Sequence, residues 1–247
     1  SKRKEVFGVV ENIGLMELPS GLCEYLRSLP MEGKDEIPVY YRNNKEEVFF
    51  VSDFILRDVK TFEKTAVSGL YRGGGLLRLR TKNGQVVIYD DRYKWFRLIG
   101  GIAHYSEGSD LFKTAVRESV VEELSVLTKN ENFRLVPKGF KSFVKTEIPG
   151  WGITVKDVVE TGSLFQLQHF FNDDNKSFEV VVEWDLSNYN NGDFIILHNE
   201  DWFRGGRSGF TPFVINETGL IVGLYDGRHG YVPMSVQAFH PTLKACL

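Results

Sequence analysis

Apolar residues recur at helical spacing along the stretch that follows residue 108. The residues at this spacing are Leu111, Phe112, Ala115, Val116, Val120, Leu124 and Leu127. Positions three and four apart lie on the same side of an α-helix, so the pattern predicts a helix with one broad buried face. Ser109 is a suitable N-cap, and Asp110 would stand favourably in the first turn. We therefore expect a helix over residues 109–127.

Shorter β-rich runs on both sides of this helix predict strands. Asn83 and Gly84 separate two such runs, and an Asn-Gly pair there is the strongest short signal of a hairpin. The predicted strands cover residues 38–41, 47–56, 76–81, 85–89, 95–99, 133–143, 164–171, 178–185, 194–197, 213–215 and 220–225. Glycines 73–75 predict a turn or bulge before a strand, and residues 19–30 predict a short helix stopped by Pro30. Strands around one main helix fit the α/β class.

The predicted helix carries two glutamates on one face. Glu118 and Glu122 are four positions apart, so their carboxylates can point at one spot, and Arg117 precedes them. Two adjacent carboxylates repel each other unless a positive charge lies between them. Mg²⁺ is a hard cation that binds such carboxylates together with water and substrate phosphates. The alternative is a solvated acidic face on which Arg117 pairs with the neighbouring acids.

Residues Gly101 to Val126 resemble the box of the Nudix hydrolase superfamily, whose pattern is G-x5-E-x7-R-E-U-x-E-E-x-G-U with U an aliphatic residue. The resemblance implies a Nudix-like α/β/α sandwich with a mixed β-sheet. An N-terminal section at residues 1–70 would then precede a main domain at residues 71–247, which carries additional β-hairpins.

The same resemblance implies an activity. A Nudix enzyme of this kind would use Mg²⁺ or Mn²⁺ to hydrolyse a nucleoside diphosphate linked to another group, a small nucleotide-type substrate. Glu118 and Glu122 match the chief metal ligands of the family, and Arg117 would orient a carboxylate. Glu107, from the loop, would add a further metal ligand or the general base, with Glu147 and Glu200 as other candidates for the base.

The box departs from the family pattern at several positions. Glu107 has the right spacing from the preceding glycine, but two residues too many follow it before the arginine, and an ungapped comparison places Ser109 there. Val121 replaces the first glutamate of the family's E-E pair. Glu123 would substitute as a metal ligand only if the helix contained a local bulge. These departures favour an alternative function, a Nudix-fold nucleotide-binding or regulatory module that does not cleave its ligand.

Candidate substrate-binding residues lie in the loops around and after the box. They are Gly100, Gly101, His104, Tyr105, Trp151, Arg204 and Arg207. The glycines would let the backbone pass close to the metal, the histidine would touch a phosphate or relay a proton, and the aromatic residues would stack on a nucleobase. Arginine side chains bind phosphate oxygens in pairs. Each of these residues also has a structural alternative. The histidine would be an ordinary surface residue, the aromatic residues would belong to the core, and the arginines would lie in a solvated turn.

Composition restricts the class of protein further. The chain has 247 residues, of which 42% are hydrophobic and 26% charged, as in ordinary globular proteins. A net charge of -3 argues against binding to bulk nucleic-acid phosphate. Two cysteines predict a reducing, cytoplasmic setting, and we expect no signal peptide and no membrane span. The particular nucleotide and the oligomeric state stay open, as does a third function in which residues 1–70 bind a partner protein.

Overall fold

The computed structural model describes residues 9–90, 92–148, 150–199, 210–216 and 239–246, and its strands form mixed sheets with short helices between them. The chain is therefore an α/β protein, as predicted. The strands are β1 (Val9–Ile13), β2 (Val39–Arg42), β3 (Val48–Val51), β4 (Leu70–Thr81), β5 (Gly84–Asp90), β6 (Trp95–Arg97), β7 (Ile99–Ile102), β8 (Leu124–Thr128), β9 (Phe133–Val136), β10 (Glu147–Ile148), β11 (Ile153–Thr154), β12 (Asp157–Glu160), β13 (Leu164–Asn172), β14 (Ser177–Leu186), β15 (Phe194–His198) and β16 (Phe210–Ile215). The helices are α1 (Ser20–Ser28), α2 (Val59–Glu63), α3 (Leu111–Val116), a π-helical segment (Arg117–Glu123) and α4 (Pro241–Ala245).

The chain forms two compact units, each assembled from separate stretches of sequence. The first comprises residues 1–76, 100–116 and 166–182, and the second comprises residues 77–99, 117–165 and 183–247. The predicted division between residues 1–70 and 71–247 stays a prediction. No helix in the described ranges has the length and hydropathy that a membrane crossing requires.

The first unit is built on strands in the order β1-β3-β2-β4-β14-β13. β1 runs parallel to β3, whereas β2 pairs antiparallel with β3 and β4. A core joins α1 and α2 to these strands, because burying the apolar face of a short helix is what stabilises it. The buried members of this core are Leu18, Cys23, Leu26, Leu29, Ile37, Val39, Val51, Phe54, Leu56, Phe62 and Leu70. The helix predicted before Pro30 is confirmed as α1.

The three glycines at positions 73–75 lie inside β4, so the predicted turn is wrong. At Gly75 the reason for a glycine is that there is no room for a side chain. A Cβ on Gly75 would lie 2.8 Å from the Cα of Ala115, which means that the backbone of α3 rests directly on the strand. Gly75 therefore lets α3 approach the sheet closely, and no turn is needed to explain this glycine.

The second unit contains two groups of strands. β5 pairs antiparallel with β4, β6 and β16, which confirms the hairpin predicted at Asn83 and Gly84. A separate four-stranded sheet has the order β12-β9-β8-β15, with β12 parallel to β9 and β8 antiparallel to both of its neighbours. Leu127, Ile148, Val155 and Leu197 form a small core against this sheet. Of the strands predicted at residues 213–215 and 220–225, the second lies outside the described residues.

The predicted helix over residues 109–127 is wrong at its C-terminal end. Helical structure stops at Glu123, and Leu124 begins β8. β8 has partners on both edges, and Leu124, Val126 and Leu127 are all buried. A fully buried strand is a continuous apolar run, and such a run also satisfies a helical pattern. At the other end the first helical residue is Leu111, so the N-cap position is Asp110 instead of Ser109.

A buried arginine on β9 marks the point where the π-helical segment ends. The Arg134 guanidinium donates to the carbonyl oxygens of Val120 at 3.3 Å, Leu124 at 3.5 Å and Lys145 at 3.2 Å. The last carbonyls of a helix have no partner within the helix, and a cation there also complements the helix dipole. Burial lowers the pKa of Arg134 to about 10, which leaves it charged at neutral pH.

Candidate functional site

The π-helical segment brings Arg117, Glu118 and Glu122 together. Arg117 Nη1 donates to Glu118 Oε1 at 3.0 Å and to Glu122 Oε2 at 3.1 Å. In an α-helix, residues five apart point in different directions, whereas the wider π turn hydrogen-bonds from i to i+5 and makes them neighbours. The contact between Arg117 and Glu122 therefore depends on the π geometry, and the two carboxylates converge on one nitrogen atom.

The negative charges of Glu118 and Glu122 are shared by the single positive charge of Arg117. The Glu118 side chain is 22% exposed and the Glu122 side chain 51% exposed, and they share one guanidinium. Burial raises the pKa of Glu118 to about 7; Arg117 opposes this rise, and the charge of Glu122 adds to it. A second positive charge at this point would favour the ionised form of both carboxylates.

The adjacent acid, Glu123, has a different environment. Its Oε1 accepts from Arg97 Nη2 at 2.8 Å and lies 2.8 Å from His198 Nε2. Burial would raise the pKa of this carboxyl, but Arg97 and His198 outweigh that effect and hold it below its usual value. The π-helical segment is the local bulge that Glu123 would need in order to join the metal ligands. The carboxylate of Glu123, however, is engaged with Arg97 and His198.

The ion pair of Glu123 continues into a buried cluster. Arg97 Nε donates to Asp90 Oδ2 at 3.0 Å, and Arg92 Nη2 donates to the same oxygen at 2.8 Å. Asp90 is fully buried at the end of β5. Phe210 on β16 stacks on the His198 ring with centroids 4.5 Å apart and an interplanar angle of 17°. β5, β6, β15 and β16 thus all contribute to the support of the π-helical segment.

Backbone contacts attach β15 to the same segment. The Asn199 backbone N–H donates to the Glu123 carbonyl at 2.7 Å, and its side-chain amide donates to the Glu122 carbonyl at 3.0 Å. Ser125 Oγ donates to Asn199 Oδ1 at 2.7 Å. Trp151, predicted to stack on a nucleobase, is half-buried, and its indole N–H donates to the His198 carbonyl at 3.1 Å.

The box loop belongs to the first unit. Glu107 accepts from the backbone N–H of His104 at 3.0 Å and from Thr114 Oγ1 at 3.1 Å, so its carboxylate turns back toward the start of α3. The His104 side chain is exposed, and the Tyr105 hydroxyl donates to the Ser52 carbonyl oxygen. This loop is held by its own hydrogen bonds and by β3.

The two glycines before the loop lie in β7. A Cβ on Gly100 would be 2.8 Å from the Cα of Leu76, so the backbone of β7 lies close to that of β4, with which it pairs. Gly101 is half-buried in the same strand. Packing within the first unit therefore accounts for a glycine at position 100, and its predicted role beside a metal stays a prediction.

Several predicted residues fall outside the described part of the chain. Arg204 and Arg207, together with Glu200, lie there. Glu147, another candidate base, is exposed at the start of β10. Across the described ranges, no three His, Cys, Asp or Glu side chains gather at a point where they would hold a metal ion. The donor set at Arg117 is therefore two carboxylates, which suits a Mg²⁺ ion that completes its shell with water and substrate phosphates better than a cage made of protein alone.

Sequence reasoning missed the partners of Glu123. These partners are Arg97 and His198, which in turn contact Asp90 and Phe210, and the four residues come from four different strands. Glu123 and His198 are 75 positions apart in the sequence, and no local spacing connects them. The sequence offered one signal for His198. A histidine and an asparagine, His198 and Asn199, stand directly after the strand predicted at residues 194–197. Comparison of the chain with protein-family models, with curated proteins and with solved structures finds no match.

Proposed function

We propose that the chain is a hydrolase, dependent on Mg²⁺ or Mn²⁺, that cleaves the pyrophosphate of a nucleoside diphosphate linked to another group. The observation that carries this proposal is the convergence of Glu118 and Glu122 on one point. Their oxygens lie 3.0 and 3.1 Å from a single Arg117 nitrogen. Two carboxylates that already share one cation form a place where a divalent ion would be attracted.

The charge balance supports a role in binding cations. A structural acid is normally neutralised in its own environment, as Glu123 is by Arg97 and His198. Glu118 has to share Arg117 with Glu122, and burial together with the charge of Glu122 raises its pKa. A bound divalent ion would neutralise charge on phosphate oxygens and lower the pKa of a water molecule. Glu118 and Glu122 would hold the ion, and Arg117 would orient their carboxylates.

The local order of structure supports the finer assignment to a Nudix-like fold. A Gly-Gly strand, a loop, a helical stretch ending at Glu123 and a buried strand follow one another over residues 99–128. The loop followed by a helix agrees with the arrangement that the resemblance implies, whereas the strand β8 follows Glu123 directly where a second loop is implied. Leu124, the first residue of β8, takes the position where the family pattern has its closing glycine.

A second candidate function is a binding or regulatory module of the same fold. The specific observation in its favour is that both of the other acids predicted as metal ligands are already engaged. Glu107 accepts from His104 and Thr114, and Glu123 accepts from Arg97 and contacts His198. Such a module would bind a nucleotide without cleaving it.

Metal titration and turnover separate these two functions. Mn²⁺ binding is measured by calorimetry, and phosphate release is screened over nucleoside diphosphate sugars, dinucleotides, nucleoside triphosphates and capped RNA. We expect Glu122→Gln to lose metal binding and turnover while keeping its melting temperature, because Glu122 is half-exposed. Glu131→Gln, at an exposed position of the same unit, is the matched control and should behave as wild type.

Two outcomes would change the assignment. If a nucleotide binds and no member of the panel is cleaved, the binding module is the better function. If Glu122→Gln turns over its best substrate at the wild-type rate, Glu122 is not a metal ligand and the proposed site is wrong.

A further inference from the structure

One loop of the second unit alternates lysines with phenylalanines. It covers residues 137–146, with the sequence PKGFKSFVKT, and connects β9 to β10. The loop contains three lysines and no acidic residue, although the whole chain has a net charge of -3. Positive charge is therefore concentrated in this segment, which we call the basic loop. Lysines interleaved with aromatic residues are typical of surfaces that bind nucleic acid.

Hydrogen bonds hold the backbone of the basic loop at each of its three lysines. The Lys138 N–H donates to the Gly162 carbonyl at 3.2 Å, and the Lys141 N–H donates to a carboxylate oxygen at the end of β12 at 3.1 Å. The Lys145 carbonyl accepts from Arg134 Nη1 at 3.2 Å. A loop whose backbone is already fixed loses little conformational entropy when it binds a ligand.

The three lysine side chains extend from this fixed backbone into solvent. All three residues are exposed. Within the described part of the chain, Lys141 alone among them has a carboxylate at ion-pairing distance, with its Nζ 3.8 Å from Asp157 Oδ1. Both side chains of that pair are 55% exposed, and an exposed pair of this kind is weak. An anionic chain that approaches the loop therefore meets three accessible ammonium groups.

An exposed aromatic ring lies between the second and the third lysine. Phe143 ends the short 3₁₀ turn Lys141–Phe143 and is 61% exposed. Its ring contacts that of the half-buried Phe140, with centroids 5.6 Å apart and an interplanar angle of 40°. The contact supports the ring from one side, and most of its surface stays open to solvent. Nucleobases stack on such rings with little dependence on sequence, because every base has a π-face.

The apolar surface of the basic loop is small. Phe143 is the one exposed apolar side chain among residues 137–146, and the polar residues Ser142 and Thr146 beside it are also exposed. Stable attachment to a bilayer requires a broad apolar face or two separate anchors. A single ring is sufficient for stacking on one base. The loop therefore fits a nucleic acid better than a membrane surface.

We propose that the basic loop binds single-stranded nucleic acid. Lys138, Lys141 and Lys145 contact phosphates of the strand, and Phe143 stacks on an unpaired base. The net charge of -3 argues against binding over the whole protein surface, and the proposed contact is confined to this loop. Phosphates and base faces are common to RNA and DNA, so both should bind. The inference is independent of the proposed hydrolase, because none of these four residues belongs to that site.

The test measures binding of labelled oligo(U) and oligo(dT), each of about 12 nucleotides, by fluorescence anisotropy. EDTA is present, so the proposed metal site holds no divalent ion and its failure would not affect the result. Lys138→Gln/Lys141→Gln/Lys145→Gln should weaken binding about tenfold or more. It should also reduce the slope of log affinity against log salt by about 2, since each phosphate contact to a single strand contributes about 0.7. The control removes the same charge from exposed positions elsewhere and should bind as wild type does: Lys34→Gln/Lys45→Gln/Lys60→Gln.

Phe143→Leu tests stacking separately from charge. Leucine keeps an apolar side chain and removes the ring, so we expect about tenfold weaker binding with an unchanged salt slope. The melting temperature should stay the same, because Phe143 is mostly exposed. Tyr93→Leu is the matched control, since Tyr93 is also an aromatic residue that is 61% exposed, and it should bind as wild type does.

Four results would overturn the inference. The first is the absence of binding of either oligonucleotide to the wild type at about millimolar concentration. The second is equal affinity in the wild type and in the triple lysine variant. The third is equal affinity for a duplex of the same length, whose bases offer no free face. The fourth is displacement of the oligonucleotide by phosphatidylserine vesicles that bind more tightly, which would assign the basic loop to a membrane surface.

Discussion

The π-helical segment carries the single acid Glu123 and the pair Glu118 and Glu122, and these two groups have opposite surroundings. Glu123 is buried and faces two potential cations, Arg97 and His198, which keep its pKa low. Glu118 and Glu122 converge on a single guanidinium, and the pKa of Glu118 is raised to about 7. A carboxylate with enough positive charge around it contributes to the fold, whereas we propose that the pair with less positive charge binds a further cation.

Because Glu123 is buried and Glu122 is half-exposed, substitutions in the two groups should also differ in how much stability they cost. Removing one partner of a buried ion pair leaves an uncompensated charge and typically costs about 3–5 kcal/mol. An exposed ion pair is worth about 0–1 kcal/mol. Substitutions around Glu123 should therefore affect stability, and substitutions at Glu122 should affect metal binding.

The largest effect should come from Arg97→Met. Arg97 is the common partner of Asp90 and Glu123, so its loss removes one cation from each of two buried carboxylates. We expect the free energy of unfolding, measured by urea titration, to fall by about 3–5 kcal/mol. Arg92→Gln is the control, because Arg92 is 46% exposed and only one of the two acids depends on it. A loss below about 1 kcal/mol in Arg97→Met would show that the cluster does not stabilise the fold.

A direct comparison of Glu123→Gln with Glu122→Gln should give the next largest effect. Both changes keep the side-chain volume and remove one charge. We expect Glu123→Gln to lower the free energy of unfolding by about 1–3 kcal/mol, because Arg97 would then be buried beside a neutral amide. Glu122→Gln should change stability by less than about 1 kcal/mol. Equal losses in urea titrations of the two variants would remove the distinction between the groups.

The loss of stability at low pH tests the buried cluster of Asp90, Arg92, Arg97 and Glu123. Burial opposes ionisation of Asp90, but Arg92 and Arg97 outweigh it, so its pKa is lower in the folded protein than in the unfolded chain. A lowered pKa gives stability above the unfolded value of about 3.9, and this stability is lost as pH falls through the folded pKa. Urea titrations from pH 7 to pH 3, at about one-unit steps, should show a shallower acid loss in Asp90→Asn than in wild type. Parallel profiles would contradict the prediction.

The smallest effect should be that of Trp151→Phe. The change keeps an aromatic ring in the core near Ile148 and removes the indole N–H that donates to the His198 carbonyl. One neutral hydrogen bond contributes about 0.5–1.5 kcal/mol, and we expect a loss of that size in urea titration. A loss above about 3 kcal/mol would mean that Trp151 carries packing beyond this bond.

Local patterns predicted the elements that depend on neighbouring residues. The hairpin at Asn83 and Gly84 follows from turn chemistry, and α1 follows from apolar spacing and Pro30. The proximity of Glu118 to Glu122 follows from a helical repeat. These features extend over a few residues, so the information for them lies in adjacent positions.

Long-range packing explains the features that the pattern mispredicted. The glycines at 73–75 look like a turn until α3 is known to rest on β4. The apolar run at 124–127 looks like helix until β9 and β15 are known to flank it. In both cases the same residues satisfy two local structures, and contacts with distant chain select one.

The amino-acid sequence alone therefore established an α/β chain and a pair of glutamates beside an arginine on one helical face. It did not establish the π turn that lets Arg117 reach Glu122, or the contacts of Glu123 with Arg97 and His198. Spacing encodes which side chains share a face, because the backbone repeat is fixed by hydrogen bonds between near neighbours. Whether an acid on that face is compensated depends on charges brought from 26 and 75 positions away, and only the folded chain brings them within hydrogen-bond distance.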